Sequence, residues 1–190
     1  MKKKILSILL IVALMVGILV GLTACGDNDS KESSSSSSPE EVVKEFIKNV
    51  ERKKADKIIK QIDVIGVAAW NSCYSDYEDF DDNYEDYQEE YDDLDKDEVE
   101  EYLDSLEEEM QEEFDYVDKI KIEIKKINDA EKVEDTKNLY SVNAKLKVSV
   151  TEDGDTETDT TTVDFYVMKK SGKYYVVGMD TITGNGLEIF

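Results

Sequence analysis

Carboxylates are the side chains with which this chain could do chemistry. Of its 190 residues, 46 are Asp or Glu and none is histidine, and the formal net charge is −23. The densest acidic run, YSDYEDFDDNYEDYQEEYDDL, spans Tyr74 to Leu94. Within it Asp79, Asp81, Asn83, Glu85 and Glu90 occupy the first, third, fifth, seventh and twelfth places of an EF-hand calcium register. The sixth place of that loop needs glycine for its sharp turn, and Tyr84 stands there. So acidic a run matches such a register by composition alone. A carboxylate pair could instead act as acid and base on a glycosidic bond, yet no motif singles out one pair. Cys73 lacks any histidine to activate it as a nucleophile, which leaves it as a buried structural thiol. No catalytic residue, metal site or cofactor is therefore assigned.

The spacing of apolar residues shows what would position these carboxylates. Residues 76–118 hold 24 acidic side chains against Lys96 alone, so the charge excess of the whole chain sits there. Runs of one charge usually stay disordered, but such tracts are poor in aromatics. Here Tyr77, Phe80, Tyr84, Tyr87, Tyr91 and Leu94 recur in alternating steps of three and four, an apolar seam on a helix. Beyond Asp95 a second seam follows through Val99, Tyr102, Leu103, Leu106, Met110, Phe114 and Val117, with Asp95 or Asp97 as its cap. The pattern predicts an acidic helical hairpin over about 74–117, tyrosines packed inward and carboxylates in solvent. Glu78/Asp82, Asp82/Asp86 and Asp86/Glu90 are like-charge pairs four residues apart, each unfavourable by roughly 0.2–0.5 kcal/mol.

The chain opens MKKKILSILLIVALMVGILVGLTACGD. Lys2, Lys3 and Lys4 followed by an apolar run from Ile5 to about Leu22 have the architecture of a secretory signal. The LTAC ending resembles the bacterial lipobox. That resemblance places Leu22, Thr23 and Ala24 in the recognition slots and makes Cys25 the lipidated first residue. An uncleaved transmembrane helix is the alternative, since the run approaches the roughly 20 residues that span a bilayer. Both readings leave everything after Cys25 outside. Residues 25–38, with serine from Ser33 to Ser38, have nothing to bury and read as a tether. The expected organisation is a signal peptide over 1–24, a lipidated tether over 25–38 and one domain over 39–190. The expected location is the outer face of the bacterial cytoplasmic membrane, held by lipid.

SPEEVVKEFIKNVERK starts the domain with a helix. Ser38 is the N-cap, Pro39 suits the first turn, Glu41 completes a capping box, and Val42, Val43, Phe46, Ile47 and Val50 form the buried stripe. A short second helix carries Ala55, Ile58, Ile59 and Ile62, and the apolar VIGVAAWNSCY follows, with Trp70, Cys73 and Tyr74 expected to be largely buried. From Lys119 the period becomes two: KIKIEI, SVNAKLKVSV, VDFYV and KYYVVGM read as four strands joined at EDTKN, EDGDT and KKSGK. Helices followed by a four-stranded antiparallel meander make an α+β fold, its sheet covered on one face and wet on the other.

This order of elements, with VDFYVMKKSGKYYVV at its end, resembles the nuclear-transport-factor-two-like superfamily over about residues 39–180. It resembles in particular small bacterial lipoproteins with a serine-rich tether and an SPEEVV-type first helix. The resemblance implies a cone-like domain whose curved sheet and helices enclose a pocket. Enzymes of that superfamily usually carry an Asp/His/Tyr set there, which a chain without histidine cannot supply. The leading expectation is thus a surface-anchored, non-catalytic binding or interaction module whose ligand the sequence does not name. Partners suited to its acidic helices are cationic: a basic peptide, a polyamine or a divalent cation. Nucleic acid is excluded, because phosphate backbones call for Lys and Arg. The competing readings are an extracytoplasmic enzyme using pocket carboxylates and a diffuse calcium-binding acidic surface.

Overall fold

The computed structural model describes residues 38–73 and 77–182. Helix α1 (Pro39–Glu51) begins as its sequence requires, with Ser38 Oγ accepting the Glu41 amide at 3.4 Å. Its stripe from Val42 to Val50 is buried throughout. Lys53 turns the chain with φ of 53° and donates from Nζ to the Phe114 and Val117 carbonyls at 3.0 and 2.6 Å. Those carbonyls lie at and just past the end of the last helix, so a lysine from the first connection caps it. Helix α2 (Ala55–Ile59) follows, then α3 (Val64–Ser72), where Asp63 Oδ1 accepts the Gly66 amide at 2.8 Å as N-cap.

The acidic segment is helical. A 3-10 turn (Tyr77–Asp79) leads into α4 (Phe80–Asp92), and Asp95 caps α5 (Lys96–Asp115) by accepting the Asp97 amide at 3.1 Å. The second seam goes deep, with Val99, Leu106, Met110, Phe114 and Val117 all buried. The first is shallower than its periodicity suggests. Phe80 is buried, while Tyr77, Tyr84, Tyr87, Tyr91 and Leu94 are half-buried. The reason is position: α4 packs mainly on α3, α5 on α2, and α4 and α5 meet around Tyr91, Leu94, Val99 and Leu103.

Strands β1 (Lys119–Ile127), β2 (Glu131–Lys132), β3 (Leu139–Glu152), β4 (Asp155–Lys170) and β5 (Lys173–Ile182) form an open antiparallel sheet in the order β1-β3-β4-β5. The expected four strands are present in the expected meander. The short β2 continues the β1 edge along β3. Asp153-Gly154 and Ser171-Gly172 turn the two tight hairpins, with φ of 52°/80° and 50°/80°. Positive φ at both positions is the turn that matches strand twist, and glycine takes the second position without strain.

Val142, Ala144, Leu146, Val148 and Val150 of β3, with Val163, Phe165 and Val167 of β4, face α1, α2 and α5 and form the main core. The other face of the sheet, the outer face, is not simply wet. Ile62 bridges Val176 in parallel, carrying the chain along the β5 edge, and α3 then packs on β5. Ala69, Cys73 and Phe80 of α3 and α4 bury Leu139, Tyr166, Met168 and Val177 on that outer side. A helix as uniformly apolar as VIGVAAW needs cover on several sides, and it finds Leu106 through Val67 and the outer sheet face through Ala69 and Cys73. Among the described residues no helix is long and apolar enough to cross a membrane.

The lateral edges of the sheet are occupied too. On β1 the Ile122 amide donates to Glu51 Oε1 at 3.1 Å, and just past its end the Ala130 amide donates to Glu40 Oε1 at 2.6 Å. On β5, the Val176 amide donates to the Gln61 carbonyl at 2.9 Å.

Candidate functional site

Where α3 and α4 stop covering the outer face, aromatic rings meet carboxylates. Trp70 comes from α3, Tyr77 from the turn before α4, Tyr166 from β4 and Asp180 from β5. Trp70 stacks on Tyr77 with centroids 4.7 Å apart at 14°, and lies 3.8 Å from the Tyr166 ring. Its indole rests on Gly178, where an added Cβ would fall 2.5 Å from the ring atoms. Tyr166 faces Gly178 across the β4–β5 ladder, so glycine is what leaves room for a tryptophan there.

Three polar groups continue the site. Tyr77 donates its hydroxyl to Asp180 Oδ2 at 3.2 Å, and the Tyr166 hydroxyl lies 3.3 Å from that of Tyr77. A phenol has one proton, so with Tyr77 donating to Asp180 it is Tyr166 that donates to Tyr77. In the next row of the sheet Asp164 is the register partner of Asp180, and it accepts from Asn143 Nδ2 at 2.6 Å. Burial raises the pKa of Asp180 above the usual carboxylate range, outweighing the tyrosine donors, and the neighbouring Asp164 adds to the rise. Burial and the Asp180 charge push Tyr77 up to about 12, and burial raises Tyr166 as well. At neutral pH both phenols are therefore proton donors. The arrangement sets two carboxylates in register beside an aromatic wall, suited to attracting a cation.

Asp63, Lys170 and Tyr84 form a second cluster. Lys170 Nζ lies 3.1 Å from Asp63 Oδ2 and 5.7 Å from the Tyr84 ring centre. Burial works to lower the Lys170 pKa, but the Asp63 carboxylate outweighs it and holds the amine above the ordinary lysine range. Asp63 is 8 % exposed and also caps α3. This cluster ties α3 to the end of β4.

The residues that the sequence offered for chemistry are distributed otherwise. Asp79 ends the 3-10 turn, and Asp81, Asn83, Glu85 and Glu90 lie along α4, where a helix cannot wrap them round one ion. Asp81 Oδ2 accepts the Lys137 amide at 2.7 Å and Glu85 pairs with Lys137 Nζ at 2.7 Å, so these two clamp the loop before β3. Among the described residues no group of three or more His, Cys, Asp or Glu is placed to hold a metal ion. Cys73 is buried, its thiol donating to the Ala69 carbonyl at 3.1 Å. Trp70 is only half-buried. Cys25, the signal and all of the tether before Ser38, and Tyr74 lie outside the described residues.

Asp164, Asp180, Tyr166 and Asn143 were not singled out by the sequence. Each sits at an ordinary polar or aromatic position of an alternating strand, and only the register brings them together. No family model matches the chain, nor does any curated protein or any solved structure.

Proposed function

We propose that the chain is an envelope lipoprotein, anchored by lipid on Cys25 and carrying a non-catalytic binding domain whose recognition surface is the outer sheet face. The observation that carries the binding half of this reading is the filling of the opposite face. There Phe46, Ile58, Met110, Phe114 and Phe165 are almost wholly buried, where a cone with a working pocket would be hollow. The resemblance to nuclear-transport-factor-two-like lipoproteins and the LTAC motif support the anchor. Metabolic labelling with a palmitate analogue tests it. The wild-type chain should take up label and the Cys25→Ser variant none; an unlabelled wild-type chain that still sediments with membranes would favour the uncleaved helix instead.

A second reading rests on Asp180 and Asp164. A carboxyl with a raised pKa opposite another carboxylate is the form of an acid–base pair. A glycosidase screen of wild type, Asp164→Asn and Asp180→Asn separates the two readings. Hydrolysis by the wild type that is lost in both variants, with neither variant melting below wild type, would overturn the non-catalytic one.

A further inference from the structure

We propose that the open half of the outer sheet face rests on an anionic lipid surface; this builds on the lipid-anchored reading above. Past the cover of α3 and α4, the outward positions of β1 and β3 are Lys119, Lys121, Glu123, Lys126, Lys145 and Lys147, all exposed. The register sets them side by side: Glu123 opposite Lys147, and Lys126 opposite Lys145. Lys125 pairs with Glu123 at 2.7 Å, and the charges of Lys147 and Lys121 also act on that carboxylate. Beyond the lysines the surface is a flat field of hydroxyls, with Ser149 bonded to Thr158 and Thr151 to Thr156. In a chain of net charge −23 this is a local excess of positive charge, bordered by Asp164 opposite Asn143 and by Glu131 opposite Ser141.

The acidic helices do not cancel it. Helix α5 lies on the other side of the sheet, and its solvent face stands roughly 15–20 Å behind the lysines, from a layer spacing of about 10 Å and a helix about 10 Å across. That is about two screening lengths at physiological salt. Helix α4 is on the outer side but covers Leu139 and Met168. Lys145 lies six residues further along β3, about 20 Å away.

The point of chain entry favours a membrane over other anionic partners. The bond from the Ala130 amide to Glu40 fixes the start of α1 beside the end of β1, where Lys126 lies. If the serine-rich run from Cys25 to Ser38 acts as the tether its composition suggests, its root-mean-square reach would be about 20 Å. Lipid on Cys25 would therefore hold this edge of the face next to the headgroups at high effective concentration.

The test is a lysine-acylation footprint, read by mass spectrometry, on the lipidated chain reconstituted into vesicles. With about one-third anionic lipid, Lys119, Lys121, Lys126, Lys145 and Lys147 should be acylated about fivefold more slowly or less than in zwitterionic vesicles. The exposed Lys57 and Lys60 of the α2 region should not change, and about 0.5 M NaCl should erase the protection. The Lys121→Glu/Lys145→Glu/Lys147→Glu variant should lose protection at Lys119 and Lys126. Flotation with zwitterionic vesicles reports the anchor separately. A chain that floats but is acylated uniformly overturns the docked face alone. Protection that ignores lipid charge and grows with protein density would mean a second copy's acidic helices are the occupant, and also overturns it. A chain that does not float overturns the anchor and the docked face together.

Discussion

Trp70 lies flat against Gly178, and nothing larger than glycine fits beneath it. That contact joins α3 to β5 and builds the floor of the aromatic–carboxylate site. Gly178→Ala should destabilise the domain by about 1–3 kcal/mol, the usual cost of forcing a methyl into a filled contact. Trp70 is the chain's single tryptophan, so its emission should shift to the red as the ring lifts off the strand. An unchanged spectrum at unchanged stability would show that the two do not touch.

Asp63 and Lys170 invite a double-mutant cycle. Lys170→Met leaves a carboxylate that is 8 % exposed without its ammonium partner. The expected loss is about 1–2 kcal/mol, reduced from the value for a fully buried pair because the lysine is part-exposed. Asp63→Asn on that background removes the stranded charge but keeps an N-cap for α3, and should recover part of the loss. Urea midpoints of the two singles and the double decide the matter; additive losses would mean no coupling.

The pH dependence of Asp180 has a definite sign. Its pKa is raised in the fold, so the folded chain holds this proton more tightly than the unfolded one. The resulting stabilisation is complete below the ordinary aspartate range and is lost as pH rises through the raised value. Asp180→Asn keeps an acceptor for Tyr77 and removes the charge. The melting temperature of the variant relative to wild type should therefore climb as pH rises from about 3 towards neutrality. A difference that is flat with pH would contradict the raised pKa.

Salt should stabilise the acidic helices. Asp82, Asp86 and Glu90 follow one another at four-residue spacing along α4, each exposed, with Glu78 exposed in the turn before them. Each like-charge pair costs roughly 0.2–0.5 kcal/mol and is relieved by screening. Far-UV helicity at a temperature near the transition should rise with NaCl. Calcium at matched ionic strength should do no more, since the carboxylates are spread along a helix; a larger calcium effect would point to defined sites.

Much of this architecture can be read from periodicity. Steps of three and four from Val99 to Val117 and alternation from Lys119 onward report which side of an element is apolar, and that property is local. Depth is not local. The tyrosines of α4 have the same spacing as the buried residues of α5, yet they remain half-exposed because α4 packs on a neighbouring helix and the rim of the sheet. The extra cover on the outer face was equally hidden, since VIGVAAW says that α3 is buried without saying by what. The candidate site was the least legible part. Asp164 and Asp180 lie sixteen residues apart in chain order and become neighbours only through a pairing that a bulge after Tyr166 helps to set.

The capped edges have a consequence for self-association. A sheet whose outermost amides are free is a template on which another chain can grow as an added strand. Here Glu51 occupies the Ile122 amide of β1, Glu40 the Ala130 amide just past its end, and Gln61 the Val176 amide of β5. At these positions a second chain could not add as a strand without first displacing a native hydrogen bond. The guard belongs to α1 on one edge and to the link between α2 and α3 on the other, so fraying of either is the step from which misassembly would start.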